Sequence, residues 1–485
     1  MTIAPGIRRP FVLAAVMAGM FMIAIEATIV STAMPQIAGQ VGDLHLYSWV
    51  FASFLLSQTA TTVLFGKLAD LYGRKPVLLV GIAVFLIGSL LCGFAWSMPS
   101  LVVFRLLQGI GAGAIQPVCQ TVVGYMYTMQ ERGKIQGWLA SVWGVSSVMG
   151  PLAGGLIIQH MNWGWVFWIN LPIGLAAAFG FWRYLHEGVE HRDRHIDSIG
   201  AALFAVSVSA LMVALTEAGT AGGGEVPAAI AVFVVTAGLF VWQELRARDP
   251  MLAFALWARR PVAAANIAAL LSGMALIGLT TFLPMYVQGV LGRSPLVAGF
   301  ALTMMVLGWP IAATLAAKNF TRFGLRAILV FGAALLPVGA IPFVMLEPGS
   351  SPVLAGLGSW IMGLGMGFLN SASIVMIQGI VGWAERGSVT ASFVFSRNLG
   401  STMGATVLGL ILNLSLAQRA GGAVGFDQVR QLLDHPGLSA DVAVRAALDH
   451  GLHLTFIGVL VTAALSLAAS LLVPSTGRAG AKAAG

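Results

Sequence analysis

Charge is what this chain has least of. Asp, Glu, Lys and Arg make up 9% of its 485 residues, against roughly 25% in an ordinary soluble domain. So little charge cannot clothe a water-facing surface, which excludes a soluble fold. Cysteine is scarce as well. Cys92 and Cys119 are the only two, both inside apolar stretches, so packing is their default role and neither a disulfide nor a metal site is expected. No H-E-x-x-H occurs, and no apolar run pairs His with Glu or Ser at catalytic spacing, which argues against a membrane-embedded enzyme. Period-two alternation is missing too, so the apolar runs are not strands of an outer-membrane barrel.

What the chain has is long hydrophobic runs, with 58% hydrophobic residues and a mean hydropathy of +0.89. A bilayer-crossing helix needs about 20 mostly apolar residues. Fourteen runs qualify, starting near residues 11, 47, 77, 100, 134, 164, 198, 226, 262, 296, 325, 353, 388 and 451. The fold class is therefore all-α integral membrane. The first run is too long for a signal-peptide core, and TAMPQ after it is a poor cleavage site, so it is expected to stay as a span.

The net charge of +8 would suggest nucleic acid in a soluble protein; here its distribution sets topology instead. With the N-terminus inside, inner segments hold 20 of the 26 Lys and Arg, outer segments hold four (Arg293, Arg419, Arg430, Arg445), and Arg105 and Arg397 fall within spans. Such asymmetry places both termini in the cytoplasm.

The chain repeats itself at an offset of 254 residues. Gln108 to Gly137 aligns with Met362 to Ala391, matching Gly109, Gly111 and Gly113 to Gly363, Gly365 and Gly367. The triplet Glu131-Arg132-Gly133 matches Glu385-Arg386-Gly387, and Gly150 matches Gly404. Two related six-helix halves follow, and repeats of this kind place a substrate site near mid-membrane. The expected organisation is an N-terminal bundle over 1–186, a charged linker and two inserted helices over 187–260, and a C-terminal bundle over 261–485. A long outer loop over 418–450 is expected, with short amphipathic helices around Val429, Leu432 and Leu433, then Val442, Val444 and Leu448.

GKLADLYGRK, Gly66 to Lys75, is a charged hairpin wedged between two uncharged runs. Gly66 and Gly73 let the turn be tight, Asp70 can cap or pair, and Arg74 and Lys75 hold the loop on the inner side. KNFTRFGLR, Lys318 to Arg326, is its degenerate echo, with Thr321 in place of the acid.

Glu26 is the sole acid deep within a span; the other seventeen of eighteen lie in loops or near span ends. It stands roughly 24 Å along the first helix at about 1.5 Å per residue, in the outer half of the bilayer. A carboxyl in hydrocarbon escapes the cost of its charge by keeping a proton, so it can hold a proton or a cationic substrate, but not both. A structural ion pair is the competing reading. Arg105 lies at a similar depth in the fourth span and is its natural partner, unless it only anchors backbone carbonyls. Arg397 is expected to snorkel to the inner face. In the fifth span Gly144, Gly150, Gly154 and Gly155 permit close helix approach, and Pro151 removes a backbone hydrogen bond. Ordinary small-residue packing would look the same. GIGAGA at 109–114 fits a dinucleotide fingerprint only superficially, since no strand precedes it. The polar residues of the second half are uncharged (Asn266, Gln288, Asn370, Gln378, Asn398, Asn413). They either line a pathway or bond neighbouring helices.

Several of these stretches together resemble the fourteen-helix drug:proton antiporters of the major facilitator superfamily. GKLADLYGRK is similar to that superfamily's loop between helices 2 and 3. EATIVSTAMP (Glu26 to Pro35) resembles D-x-T-I-V-N-x-A-L-P, with Glu for Asp and Ser31 for Asn. RLLQGIGAG (Arg105 to Gly113) resembles the arginine motif of helix 4. Gly144, Gly150, Pro151, Gly154 and Gly155 fit the exporter pattern of helix 5, and WGWVFWINLP (Trp163 to Pro172) fits helix 6 except that Gly164 replaces Arg.

The resemblance implies two six-helix bundles plus two inserted helices, and proton-coupled efflux of lipophilic, cationic or neutral compounds across a bacterial inner membrane. It implies that Arg105 modulates protonation of Glu26, that Asp70, Arg74 and Arg132 form a cytoplasmic latch, and that helix 5 is a hinge and seal. The expected partners are a small lipophilic substrate, protons and lipid, with no cofactor, metal or nucleic acid. A monomer and a complex with a periplasmic adaptor both stay open. Rival readings are a transporter of one metabolite, lipid precursor or siderophore, and a non-transporting sensor or scaffold, though no soluble signalling domain is visible.

Overall fold

The computed structural model describes residues 8–41, 46–187, 197–218, 224–247, 254–419 and 442–474. Among these residues the chain is helical, with no strand. Helices suit lipid because every backbone N–H and C=O is satisfied within the segment. In order they are α1 (Arg9–Val41), α2 (Tyr47–Tyr72), α3 (Arg74–Gly93), α4 (Met98–Met126), α5 (Met129–His160), α6 (Trp165–Trp168), α7 (Asn170–Tyr184), α8 (Ser198–Ala218) and α9 (Val226–Glu244). Then come α10 (Phe254–Trp257), α11 (Arg260–Met285), α12 (Pro295–Phe323), α13 (Leu325–Val344), α14 (Pro352–Gly379), α15 (Arg386–Arg419) and α16 (Val442–Leu471). Among the described residues thirteen spans are long and apolar enough to cross a membrane, and a shorter apolar stretch, Ile199–Leu215, lies in α8. Many large apolar side chains face outward, Leu152, Leu175, Phe179, Val235 and Phe300 among them, as lipid contact requires.

Several boundaries differ from the sequence reading. The charged hairpin is barely a loop: α2 runs to Tyr72, α3 starts at Arg74, and Gly73 alone lies between them. Gly73 has φ 92°, a conformation a Cβ strains, so glycine is needed there. The last helix is described from Val442 and its apolar span from Val444, not 451, so Val442, Val444 and Leu448 belong to α16. Val429, Leu432 and Leu433 lie outside the described residues.

Two compact units emerge from the packing. The first comprises Met1–Ala214, Gly224–Trp257 and Ile377–Phe395; the second comprises Leu215–Gly223, Ala258–Met376 and Ser396–Gly485. The inserted pair α8 and α9 thus belongs mostly to the first unit, as does the start of α15. In the first unit α1 packs on α5 and α7, and α4 on α2 and α3. In the second, α16 packs on α11 and α13, and α11 ends in a π-turn, Tyr286–Val290, from which the buried Tyr286 hydroxyl donates to Asp449 Oδ1 at 2.9 Å.

The internal repeat extends to single contacts. A Cβ on Gly109 would strike the Phe54 carbonyl of α2, and one on Gly363 the Met305 carbonyl of α12. Gly113 lies against the Gln58 carbonyl, and Gly367 against the Trp309 carbonyl. Each half therefore needs these small residues for backbones to meet. Arg132 Nη2 donates to the Gly124 carbonyl, and Arg386 Nε to the Gln378 carbonyl at 3.2 Å, each reaching eight residues back.

Candidate functional site

Two polar clusters interrupt the apolar packing of the first unit. One is deep in the membrane-spanning part. Glu26 on α1 is fully buried and Arg105 on α4 is 2% exposed. Arg105 Nη1 donates to Glu26 Oε1 and to Gln108 Oε1 at 2.8 Å, while its Nε donates to the Val50 carbonyl at 3.1 Å. Arg105 thus does both things the sequence allowed, pairing the acid and tying a backbone carbonyl. Its guanidinium also lies over the Phe54 ring, 4.3 Å from the centroid. The other Glu26 oxygen accepts from Asn170 Nδ2 of α7. Gln108 Nε2 donates to Ser89 Oγ at 2.7 Å, and the Cys92 thiol lies 3.8 Å from Gln108 Oε1. One acceptor is left over: Asn170 Oδ1 is buried with no donor.

Such a pair is costly to assemble and more costly to break. Removing one partner of a buried ion pair strands the other and costs about 3–5 kcal/mol. Asn170 and Gln108 were missed in the sequence because neither is charged. Both nonetheless fall inside stretches the sequence marked, Gln108 in RLLQGIGAG and Asn170 in WGWVFWINLP.

The second cluster gathers at the α2–α3 turn. Asp70 Oδ1 accepts from the Gly387 N–H at 2.9 Å, and Oδ2 from the Ser388 N–H at 2.7 Å and the Ser388 hydroxyl at 2.9 Å. Asp70 thereby caps the N-terminus of α15, whose free N–H groups and dipole favour an anion. Arg74 Nη2 pairs with Asp70 at 3.2 Å and donates to the Trp383 carbonyl at 3.0 Å. Its guanidinium stacks 3.7 Å from the Trp383 ring centroid. Gly66 lets α2 approach α15, since a Cβ there would collide with Ala391. Lys75 Nζ donates to the Trp182 carbonyl at 2.6 Å.

Glu187, just past α7, completes this cluster and was not singled out in the sequence. Its Oε2 accepts the backbone N–H groups of Arg74 at 2.6 Å and Lys75 at 3.1 Å. Burial pushes its carboxyl above the ordinary range, against the opposing pull of the Arg74 guanidinium and the N–H donors.

Among the described residues Arg132 pairs with no acid; it donates to the Gly124 and Tyr127 carbonyls and so closes the end of α4. A Cβ on Gly155 would meet nothing within 4 Å, and Pro151 is exposed. The close approach to α1 is made by Gly150, against Thr28, and Gly154, against Ile29, while the Gly144 carbonyl accepts the Ser147 hydroxyl. Arg397 lies roughly 17 Å into α15 at about 1.5 Å per residue, too deep to snorkel. It is half-buried, and its guanidinium makes no hydrogen bond or ion pair among the described residues.

The family model of the Major Facilitator Superfamily matches residues 16–405. The chain belongs to the major facilitator superfamily. Its relatives in that superfamily include Multidrug resistance protein 3 of Bacillus subtilis (strain 168), 35% identical over 404 residues that cover 83% of this chain and 79% of the relative. Multidrug transporter protein MdtP of the same organism is 32% identical, over 84% of this chain and 76% of the relative. Among solved major facilitator structures, the human organic anion transporter MFSD10 (TETRAN) matches with a TM-score of 0.63 at 14% identity, over 94% of this chain and 99% of the other. The proton:xylose symporter XylE matches with a TM-score of 0.61 at 13% identity, over 96% and 95%. At these identities the structures speak for the fold alone. Membership of the major facilitator superfamily makes this a multi-pass membrane transporter, not an enzyme.

Proposed function

We propose that this transporter exports lipophilic cationic or neutral compounds across a bacterial inner membrane in exchange for protons, by alternating access with both termini in the cytoplasm. One observation carries the reading: a fully buried acid, Glu26, held between a guanidinium and an amide inside a span. Charged, the acid needs Arg105; protonated, it would give its O–H to a neighbouring acceptor, and the amide of Asn170, whose Oδ1 has no donor, already touches it through Nδ2. The multidrug relatives support drug-like cargo, and the inner excess of Lys and Arg supports the orientation.

In this scheme the α2–α3 cluster is the cytoplasmic latch. Asp70 and Arg74 hold the first turn of α15 to the end of α2, and release of Asp70 frees that turn. Gly150 and Gly154 keep α5 against α1, beside the coupling acid.

The test is proton movement driven by ethidium in inverted membrane vesicles. The parent is expected to dissipate an imposed proton gradient when ethidium is added, and Glu26→Gln to give no signal; the thermal midpoint and membrane yield of the variant separate lost coupling from the lost stability of the broken pair. Equal signals from parent and variant would remove Glu26 from the coupling. Export of one metabolite alone, with no response to a panel of lipophilic cations, would favour the narrower metabolite-transporter reading.

A further inference from the structure

Glu187 belongs to no motif, yet among the described residues it touches the latch more tightly than any other acid except Asp70. Its side chain is 3% exposed, and Oε2 receives two consecutive backbone N–H groups, those of Arg74 and Lys75. These are the first N–H groups of α3, which no residue of α3's own sequence caps. Glu187 Oε1 lies 3.9 Å from Arg74 Nε, a charge contact without a hydrogen bond, so the carboxyl that grips the backbone also faces the guanidinium of the same residue. Arg74 is thus the centre of two caps. Asp70 caps α15 and pairs with the Arg74 guanidinium; Glu187 caps α3 and holds the Arg74 backbone.

We infer that Glu187 is a positioning residue of the latch, fixing the start of α3 so that Arg74 stays stacked on Trp383 and Asp70 stays on the N-terminus of α15. The inference rests on the latch reading above and adds its missing anchor. The geometry explains why Arg74 needs one. The turn before it is a single glycine at φ 92°, and Arg74 Nε and Nη1 make no hydrogen bond. Its direction is set by Asp70, Trp383 and the backbone grip of Glu187. Asp70, Lys75, Tyr125 and Arg386 are the other ionisable groups around Arg74 and Glu187. None of them can replace that grip: Lys75 and Arg386 carry no acceptor, Asp70 is fully used by α15 and Arg74, and the Tyr125 ring packs on Trp383 at 5.6 Å. Glu187 also begins the segment that leads to the inserted helix pair. The carboxyl therefore links that segment to the latch.

Its role is as an acceptor, so substitutions separate it from charge. Glu187→Ala removes the acceptor, and Glu187→Gln keeps a carbonyl oxygen at the same reach. Amide hydrogen exchange is followed by mass spectrometry on the full-length, detergent-purified chain, in peptides covering 73–76 and 383–390. In Glu187→Ala both peptides are expected to lose protection, by at least about fivefold in rate, as fits the loss of charge-assisted hydrogen bonds. In Glu187→Gln protection of 383–390 is expected to return most of the way. Faster exchange confined to 73–76 would overturn the inference, leaving Glu187 a local cap of α3. Unchanged exchange in both peptides would overturn it as well. Neither outcome depends on transport, so an inactive efflux assay would defeat the function and leave this result standing.

Discussion

The α2–α3 and α12–α13 turns carry two versions of one sequence pattern, GKLADLYGRK and KNFTRFGLR, and they differ in one respect. Both end a helix on a left-handed glycine, Gly73 at φ 92° and Gly324 at φ 82°. Both also tie a basic residue to the closing helix of their own half. Lys75 Nζ reaches the Trp182 carbonyl at the end of α7, and Arg326 Nε reaches the Val473 carbonyl just past α16, each at 2.6 Å. Among the described residues only the first turn has acids, Asp70 and Glu187, in its contacts. Where Asp70 would stand, the second turn has Thr321, which is exposed. The two turns share the glycine and the basic tie, while among the described residues the capping carboxylate that seizes another helix belongs to the first alone. In the proposed scheme this is what distinguishes the two turns: only the first can act as a latch.

The largest expected effect comes from deleting that difference. Asp70→Asn should cut ethidium efflux by about tenfold or more, because Arg74 loses its charge partner and the N-terminus of α15 its anion. Thr321→Ala should leave efflux within about twofold, as an exposed substitution usually does. If both substitutions behaved alike in a resistance assay, the asymmetry would have no functional meaning.

Gly73→Ala and Gly324→Ala sharpen the shared part. Each forces a Cβ into left-handed backbone and should destabilise the chain by about 1–2 kcal/mol, read as matching falls in thermal midpoint. Efflux should suffer far more from Gly73→Ala, since only that turn carries the latch.

A smaller effect is expected from pH. The Glu187 carboxyl is raised by burial in the latched form and ordinary once released into water. The latched form therefore binds the proton more tightly. It is favoured below the ordinary carboxyl range and loses that contribution as pH climbs through the raised value. Protection of the Gly387 and Ser388 amides, corrected for intrinsic exchange, should fall modestly over that window in the parent and stay flat in Glu187→Gln. Asp70 titrates in both proteins, so the difference between them isolates Glu187. The smallest effect is reserved for Thr321→Asp. An acid at that exposed position should change stability by less than about 1 kcal/mol, and efflux hardly at all.

Much of this could be seen in the sequence for a physical reason. Hydrocarbon tolerates so few polar groups that Glu26 and Arg105 stand out at once, and each demands a partner. The spans follow from length and hydropathy, and the repeat from its glycines and the two Glu-Arg-Gly triplets. What stayed hidden was polarity without charge and charge among other charges. Asn170 and Gln108 look like common helix residues, and Glu187 lies in a linker with Glu190, Asp193 and Asp197, where no pattern marks one acid. Arg132 was placed in the latch by resemblance, and it is the carbonyls at the end of α4 that satisfy it. Span ends were misplaced where polar turns continue the helix, as at Val442 and across GKLADLYGRK.

The two thiols give the molecule a built-in reporter. Cys92 lies beside Gln108 in the polar cluster, whereas Cys119 is packed among apolar groups near Ile115 and Gly19. A maleimide added to the unmodified transporter should find Cys92 only in conformations that admit water to the cluster, while Cys119 supplies an internal standard for unfolding. Opening of the Glu26–Arg105 cluster can therefore be timed without introducing a single foreign residue.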